Sequence, residues 1–245
     1  MSPFWVEPQR LLIDTDAICL GNNGAARRVE FNGMPEAGLA ALTGESAGMI
    51  RRGARWHVLL ADALVRYLVI HWPAGLRGRA EREAFVAHRF REVHGVVAPE
   101  WQIAIECSAA DLPVLACAAP AVLVDAVGAW AQRNRQRVVG ITGEFIGAYN
   151  RARSRLAYPL GALALQRGGR VTVGLWRDAA WQALRSQPLD PAGDAALGLF
   201  LESTRVWSGA TEEGGVLYCL GAPFDTPVGW RTVTLEDQEI GRAHV

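Results

Sequence analysis

At 245 residues, 50% hydrophobic and 20% charged, the chain has the composition of a folded globular protein and suits one large domain or two small ones. Its formal net charge is zero, which disfavours a general nucleic-acid or anionic-membrane binder, since such proteins carry a basic excess. All 25 basic residues are Arg, so a P-loop Lys, a Schiff base and a Lys general base are excluded, and Arg, protonated at any working pH, replaces none of them.

The N-terminus, Met1 to Arg10, carries Glu7 and two prolines where a signal peptide needs a basic start and an apolar core. Arg10–Asp14 and Ala17–Leu20 then read as short strands. Gly21-Asn22-Asn23-Gly24 is a turn, because Gly and Asn tolerate positive φ, and Arg27–Phe31 completes a β-meander. Residues 33–53, rich in Gly and Ala, leave room for one short helix. Trp56–Ala61 and Val65–Trp72 read as a strand pair around Asp62, ended by Pro73.

Glu81–His94 is the clearest amphipathic helix: Phe85, Val86, Phe90 and Val93 share one face, and His88 and Arg91 lie opposite. Trp101–Cys107 and Val114–Ala118 are strands. Pro120 suits the start of a helix in which Leu123, Val127 and Trp130 keep helical spacing. A strand over Arg137–Thr142 and a helix marked by Phe145, Ala148, Tyr149 and Ala152 follow. The order then restarts. Leu160–Gln166, the turn Gly168-Gly169, Val171–Trp176, the turn Arg177-Asp178 and Ala180–Arg185 form a second meander. A helix at Asp194–Ser203 and strands at Val216–Leu220 and Val233–Leu235 complete it. The repeat is one of element order, not of residues, and it predicts a duplicated architecture.

The longest uncharged apolar stretch, Leu112 to Val124, is too short for a bilayer span and contains prolines, so the segment is expected to be soluble. Ile240 to Val245 looks like a translated sequencing adapter. Residues 240–245 are therefore expected to be a non-native tail, with the natural chain continuing beyond about Glu239, where a membrane anchor could follow.

Four dispersed cysteines, Cys19, Cys107, Cys117 and Cys219, form no C-x-x-C and no disulfide framework, which fits a reducing compartment; Cys107 and Cys117 read as small buried hydrophobes. Gly44-Glu45-Ser46-Ala47-Gly48 matches the G-x-S-x-G nucleophile elbow, with Asp62 or Asp111 and His88 or His94 nominally available as partners. The elbow needs a buried strand before its Ser. The Ala-rich Leu39–Thr43 is not such a strand, so a loop is expected. The histidines lack metal-ligand spacing, and no metal site is expected. Asp14 and Asp16 follow the first strand, where acids can hold Mg²⁺ beside a phosphate or can be simple turn chemistry. Of nine tryptophans most read as core; for Trp5, Trp207 and Trp230 core or incidental exposure is the first reading and a partner surface the alternative.

With its elements in this order the chain resembles the actin-like ATPase superfamily, and more narrowly the pilus-assembly protein PilM and the cytoplasmic part of the secretion protein GspL. The resemblance rests on several blocks. They are the Arg10–Phe31 meander, the Trp56–Trp72 pair with Asp62-Ala-Leu-Val-Arg66-Tyr67, the helix Glu81–His94, the block Val114–Asn150 ending Ala148-Tyr149-Asn150, and the Leu160–Arg185 meander. It covers about residues 10–235, as a pattern of elements with weak local motifs.

The resemblance implies an α/β fold of two ribonuclease H-like (actin-like) subdomains with mixed sheets and helices. The first is expected over 1–155 and the second, truncated, over 156–239. The superfamily grips phosphates with Asp-x-Gly loops on the first hairpin of each subdomain. The first counterpart here is Asp14-Thr15-Asp16, with Asp where Gly would let the backbone approach a phosphate. The second, Gln166-Arg167-Gly168-Gly169, lacks the Asp, and Gly221-Ala222-Pro223 is a poor remnant of the adenosine loop.

These departures imply a non-catalytic cytoplasmic scaffold, at the inner face of the inner membrane, with Asp14, Thr15 and Asp16 as a vestigial cofactor-binding loop. No cofactor and no nucleic acid are expected. The expected partners are inner-membrane pilus or secretion assembly proteins, a secretion ATPase among the candidates. The alternative is a nucleotide-binding ATPase or kinase relative with Asp14 and Asp16 around Mg²⁺ and ATP.

Overall fold

The structure is a computed structural model that describes residues 8–22, 25–45, 50, 53–76, 78–96, 99–106, 112–156, 160–178, 180–189, 195–207, 215–221 and 229–235. Its described residues divide into two compact units, one built from those up to Leu64 with Ala119–Gly147, the other from Val65–Ala118 with those from Ala148 onward.

The first unit holds strands β1 (Gln9–Ile13), β2 (Ala17–Asn22) and β3 (Ala25–Glu30), helix α1 (Pro35–Glu45) and strand β4 (Arg55–Leu60). The chain leaves through β5 (Arg66–Ile70), α2 (Arg79–His94), β6 (Trp101–Ile105) and β7 (Val114–Pro120). It returns with α3 (Ala121–Arg133), β8 (Arg137–Gly143) and the start of α4 (Glu144–Ala152). The first five-stranded sheet runs β3-β2-β1-β4-β8; β1 is antiparallel to β2, and β1, β4 and β8 are mutually parallel. Parallel neighbours need a long crossover. Here β2, β3 and α1 together make the connection from β1 to β4, and the segment from β5 to α3 makes the one from β4 to β8.

Helices α1 and α3 pack together, α1 against β2 and β3 and α3 against β8. Their fully buried Leu39, Leu42, Leu123, Val127 and Trp130 form the core with Leu11, Ile13, Ile18 and Val58. Trp130 meets Trp56 of β4 edge-on at 5.7 Å, a favoured aromatic geometry.

The second unit repeats the arrangement. Strands β9 (Leu160–Arg167), β10 (Arg170–Arg177) and β11 (Ala180–Pro188) form a meander, followed by α5 (Ala195–Trp207), β12 (Gly215–Leu220) and β13 (Trp230–Thr234). The sheet runs β11-β10-β9-β12-β13, again antiparallel across the meander and parallel from β9 through β12 to β13. Order and strand directions match the first sheet, so the duplication expected from element order is present. Gly168 and Gly169 close the β9–β10 hairpin at φ 57° and 66°, the double positive φ that a two-residue hairpin turn needs. Gly161 faces Trp176, whose indole occupies the space a Cβ would take.

The same unit contains a smaller sheet, β5-β7-β6, with β5 antiparallel to β7. Helix α2 packs on β5 through Val86 and Phe90. It ends at Gly95 (φ 66°), whose N–H reaches the Arg91 carbonyl while Val96 N–H reaches that of Phe90. Its solvent face carries the pairs Arg79–Glu83 (2.7 Å) and Arg89–Glu92 (2.6 Å).

Three expectations change. The strands on either side of Asp62 are not a pair, because β4 belongs to the five-stranded sheet and β5 to the smaller one. Trp230 is no surface anchor: it is buried in the core under the second sheet, with Leu217 and Phe200. The last strand begins at Trp230, ahead of the Val233 expected, because its parallel register on β12 starts at Gly215. Trp5 and Cys107 lie outside the described residues.

Candidate functional site: the carboxyl edge of the first sheet

Strands β1, β4 and β8 are parallel and in register, Ile13 opposite Leu60 and Leu60 opposite Gly143, so their carboxyl ends share one edge. That edge is where open α/β sheets bind ligands. Each strand is followed there by an acid: Asp14 after β1, Asp62 after β4 and Glu144 after β8.

The expected loop, Asp14-Thr15-Asp16, is the β1–β2 turn. Asp14 N–H donates to the Ala17 carbonyl at 2.8 Å, and the Asp14 carboxylate accepts from its neighbour's backbone, Thr15 N–H, at 2.7 Å. Asp16 is exposed and turns back towards β3, where Arg28 Nη2 lies 3.3 Å from both its carboxylate oxygens. Arg28 also reaches Glu30 at 3.5 Å. Burial pulls the guanidinium down, but the charges of Asp16, Cys19 and Glu30 outweigh that and hold it above its ordinary value. The two acids are thus placed on one hairpin, one serving the turn and the other in an ion pair.

Asp62 was legible only as part of a motif, and the structure gives it a definite task. It is buried, and its Oδ1 accepts the Phe145 N–H at 3.1 Å. The residue before α4 is Gly143, which has no side chain to cap the helix. Asp62, from the β4 loop, therefore satisfies one of the orphan donors of α4. Glu144, the first residue of α4 and the chain neighbour of Phe145, is also buried. No local signal marks this contact, because its partners lie 83 residues apart.

In the second sheet the corresponding edge, at the ends of β9 and β12, is made of Gln166, Arg167, Gly168 and Gly221. Gly221 sits at φ 99°, and a Cβ there would collide with the Gln166 carbonyl, so the two strand ends meet backbone to backbone. No acid stands at the end of β9 where Asp14 stands after β1.

The other sequence candidates are placed as follows. Helix α1 runs to Glu45, so the segment carrying Ser46 follows a helix instead of the strand an elbow requires; Ser46 itself, with Asp111, lies outside the described residues. His88 is on the outer face of α2, 3.3 Å from Glu92. His94 Nε2 lies 3.0 Å from the Tyr67 carbonyl oxygen. Burial pushes the Cys117 thiol up to about 11 and that of Cys219 up to about 12, which keeps both protonated and unreactive at neutral pH. Among the described residues no group of three or more His, Cys, Asp or Glu is placed to hold a metal ion. No helix among them is long and apolar enough to cross a membrane.

No protein-family model matches the chain, and no curated protein matches it. Solved structures do. The chain is similar to a Bacteroides thetaiotaomicron protein with an actin-like ATPase fold and unknown function, with a TM-score of 0.60 at 13% identity over 89% of this chain and 83% of that one. It is similar to the PilM–PilN type IV pilus biogenesis complex, with a TM-score of 0.62 at 17% identity over 88% and 81%. The cytoplasmic domain of EpsL, an inner-membrane component of the type II secretion system of Vibrio cholerae, gives 0.55 at 15% identity over 94% and 86%. This chain therefore has the actin-like ATPase fold, an α/β architecture built on two ribonuclease H-like sheets. It shares that fold with a structure from a type IV pilus biogenesis complex and with the cytoplasmic domain of a type II secretion component.

Proposed function

We propose that the protein is a non-catalytic scaffold, an interaction domain of a pilus-assembly or type II secretion platform, acting in the cytoplasm at the inner membrane. The observation that carries this reading is the state of the first hairpin. In a phosphate-gripping loop the backbone must come close to the anion, and the acids must be left for the metal and its water. In this chain Asp16 occupies the position where Gly would permit the approach, and its carboxylate is engaged by Arg28 at 3.3 Å. The Asp14 carboxylate closes its own turn through Thr15 N–H. The β9–β10 hairpin offers Gln166 and Arg167 in place of an acid. Two functional subdomains, 1–155 and 156–239, and inner-membrane assembly partners belong to the same reading.

The test is a thermal-shift titration with Mg-ATP, because a ligand that binds the native state alone raises its apparent stability. The scaffold reading expects no saturable shift. A shift that saturates at micromolar ATP overturns it in favour of a second reading, a nucleotide-binding relative using Asp14 and Asp16 around Mg²⁺. One observation favours that alternative: Asp14, Asp62 and Glu144 all follow the carboxyl ends of parallel strands, the ligand side of such sheets.

A further inference from the structure

The opposite end of the first unit's sheet carries a cluster of exposed arginines, two of them directly opposed across the ladder. Arg55 opens β4 and Arg137 opens β8, and the parallel register sets the two directly opposite one another. Like charges opposed across a ladder destabilise it. Arg133 in the last turn of α3 and Arg135 in the turn before β8 add two more, and all four are exposed. Arg28 pairs with Asp16 and Glu30 at the other end of the sheet, and among the described residues no ion pair joins a carboxylate to these four arginines.

Arg135 is also held at φ 52°, in the left-handed region where a helix C-terminus ordinarily places Gly. The position is fixed by the segment that leads into β4, because Gly53 N–H donates to the Arg135 carbonyl at 3.0 Å and Arg137 N–H donates to that of Ala54 at 2.9 Å. A strained non-Gly residue and a repulsive cross-strand pair in one place are what a binding surface retains and a purely structural edge does not.

The neighbouring backbone narrows the choice of ligand. Among the described residues β8 is the outermost strand of its sheet, packed by β4 on one side and by α3 on one face. Its register slips between Trp56/Val138 and His57/Gly140, leaving Val139 as an extra residue, exposed at 39%. An open strand edge is a template for extended polypeptide, and guanidinium forks match carboxylates two bonds at a time. A lipid surface could use the charges but not the edge, and it calls for a wider apolar face than Val139 provides.

The geometry points to this edge as a docking surface for an acidic, extended polypeptide segment, its carboxylates on Arg55, Arg133, Arg135 and Arg137 and its backbone alongside β8. The surface lies at the end of the sheet away from Asp14, so the inference stands whether or not nucleotide binds.

The test uses the whole chain and a fluorescein-labelled peptide of alternating Glu and Val. A Lys–Val peptide of the same length and phosphatidylglycerol vesicles serve as comparison probes. At low salt the Glu–Val peptide is expected to bind with a dissociation constant of about 100 µM or tighter. The Arg55→Glu/Arg137→Glu variant should weaken it at least about tenfold, and bound peptide should slow hydrogen exchange at β8 amides. Near-UV circular dichroism checks that this variant is folded. Arg133→Gln with Arg135→Gly, which relieves the strained φ, is the second variant and should weaken binding about threefold.

No saturable binding below about 1 mM overturns the inference. So does equal binding of the Lys–Val peptide, unchanged affinity in both variants, or binding without protection of β8. Vesicle binding that the Glu–Val peptide does not displace also overturns it, and assigns the surface to anionic lipid.

Discussion

Replacing Asp62 with Ala removes a buried acceptor and leaves Phe145 N–H, the second amide of α4, facing a cavity instead of a carboxylate. The 3.1 Å bond is buried, and Gly143 offers no substitute cap. Losing a capping side chain costs about 1 kcal/mol, and stranding a buried donor adds about 1–2 kcal/mol, so a total of about 2–3 kcal/mol is expected. For a chain of this size that corresponds to a fall in Tm of roughly 4–12 °C. Asp62→Asn keeps an acceptor oxygen for the Phe145 N–H and should cost less, about 1 kcal/mol. The assay is urea unfolding followed by circular dichroism, read together with hydrogen exchange at Phe145. Faster exchange there in Asp62→Ala, with Asp62→Asn in between, is the expected pattern. A stability within about 0.5 kcal/mol of the parent, or unchanged exchange at Phe145, would refute the capping role.

Gly221→Ala places a methyl group against the Gln166 carbonyl at a residue held at φ 99°, and should destabilise the second unit by more than about 1 kcal/mol; wild-type unfolding midpoints would show the close approach to be unimportant. Burial, with Arg66 adding to it, lowers the His94 pKa against the raising effect of its bond to the Tyr67 carbonyl. A folded-state value below the unfolded one means the folded chain binds fewer protons. The His94 contribution is therefore complete above about pH 6.5 and is lost as pH falls through the folded value. Stability measured from pH 7.5 to 5 should fall less steeply in His94→Gln, and parallel profiles would contradict the assignment. In the unliganded protein, Arg137→Glu replaces a like-charge pair with an opposite-charge one across from Arg55, so Tm should rise by about 1–2 °C; a fall would show that the arginines do not repel.

Much of the local structure was legible along the chain because it is set by near neighbours. Helix α2 announces itself through Val86 and Phe90 at helical spacing and stops at Gly95, and both features operate within a few residues. The second meander is readable because Gly168-Gly169 can turn with two positive φ angles and the flanking strands are apolar. The recurrence of meander, helix and strand followed from these local signals, and with it the duplicated fold.

What depended on residues far apart could be decided only by the folded chain. Parallel pairing carries no turn to mark it, so nothing near β4 shows that it joins β1 and β8 while β5 joins β7. The same non-local register brings Arg55 opposite Arg137 and carries Asp62 to the head of α4. Composition determined which chemistries the chain lacks, since a side chain that is absent cannot act. Which of its acids and arginines stand together was settled by strand register, which is fixed by burying apolar side chains that lie far apart along the chain.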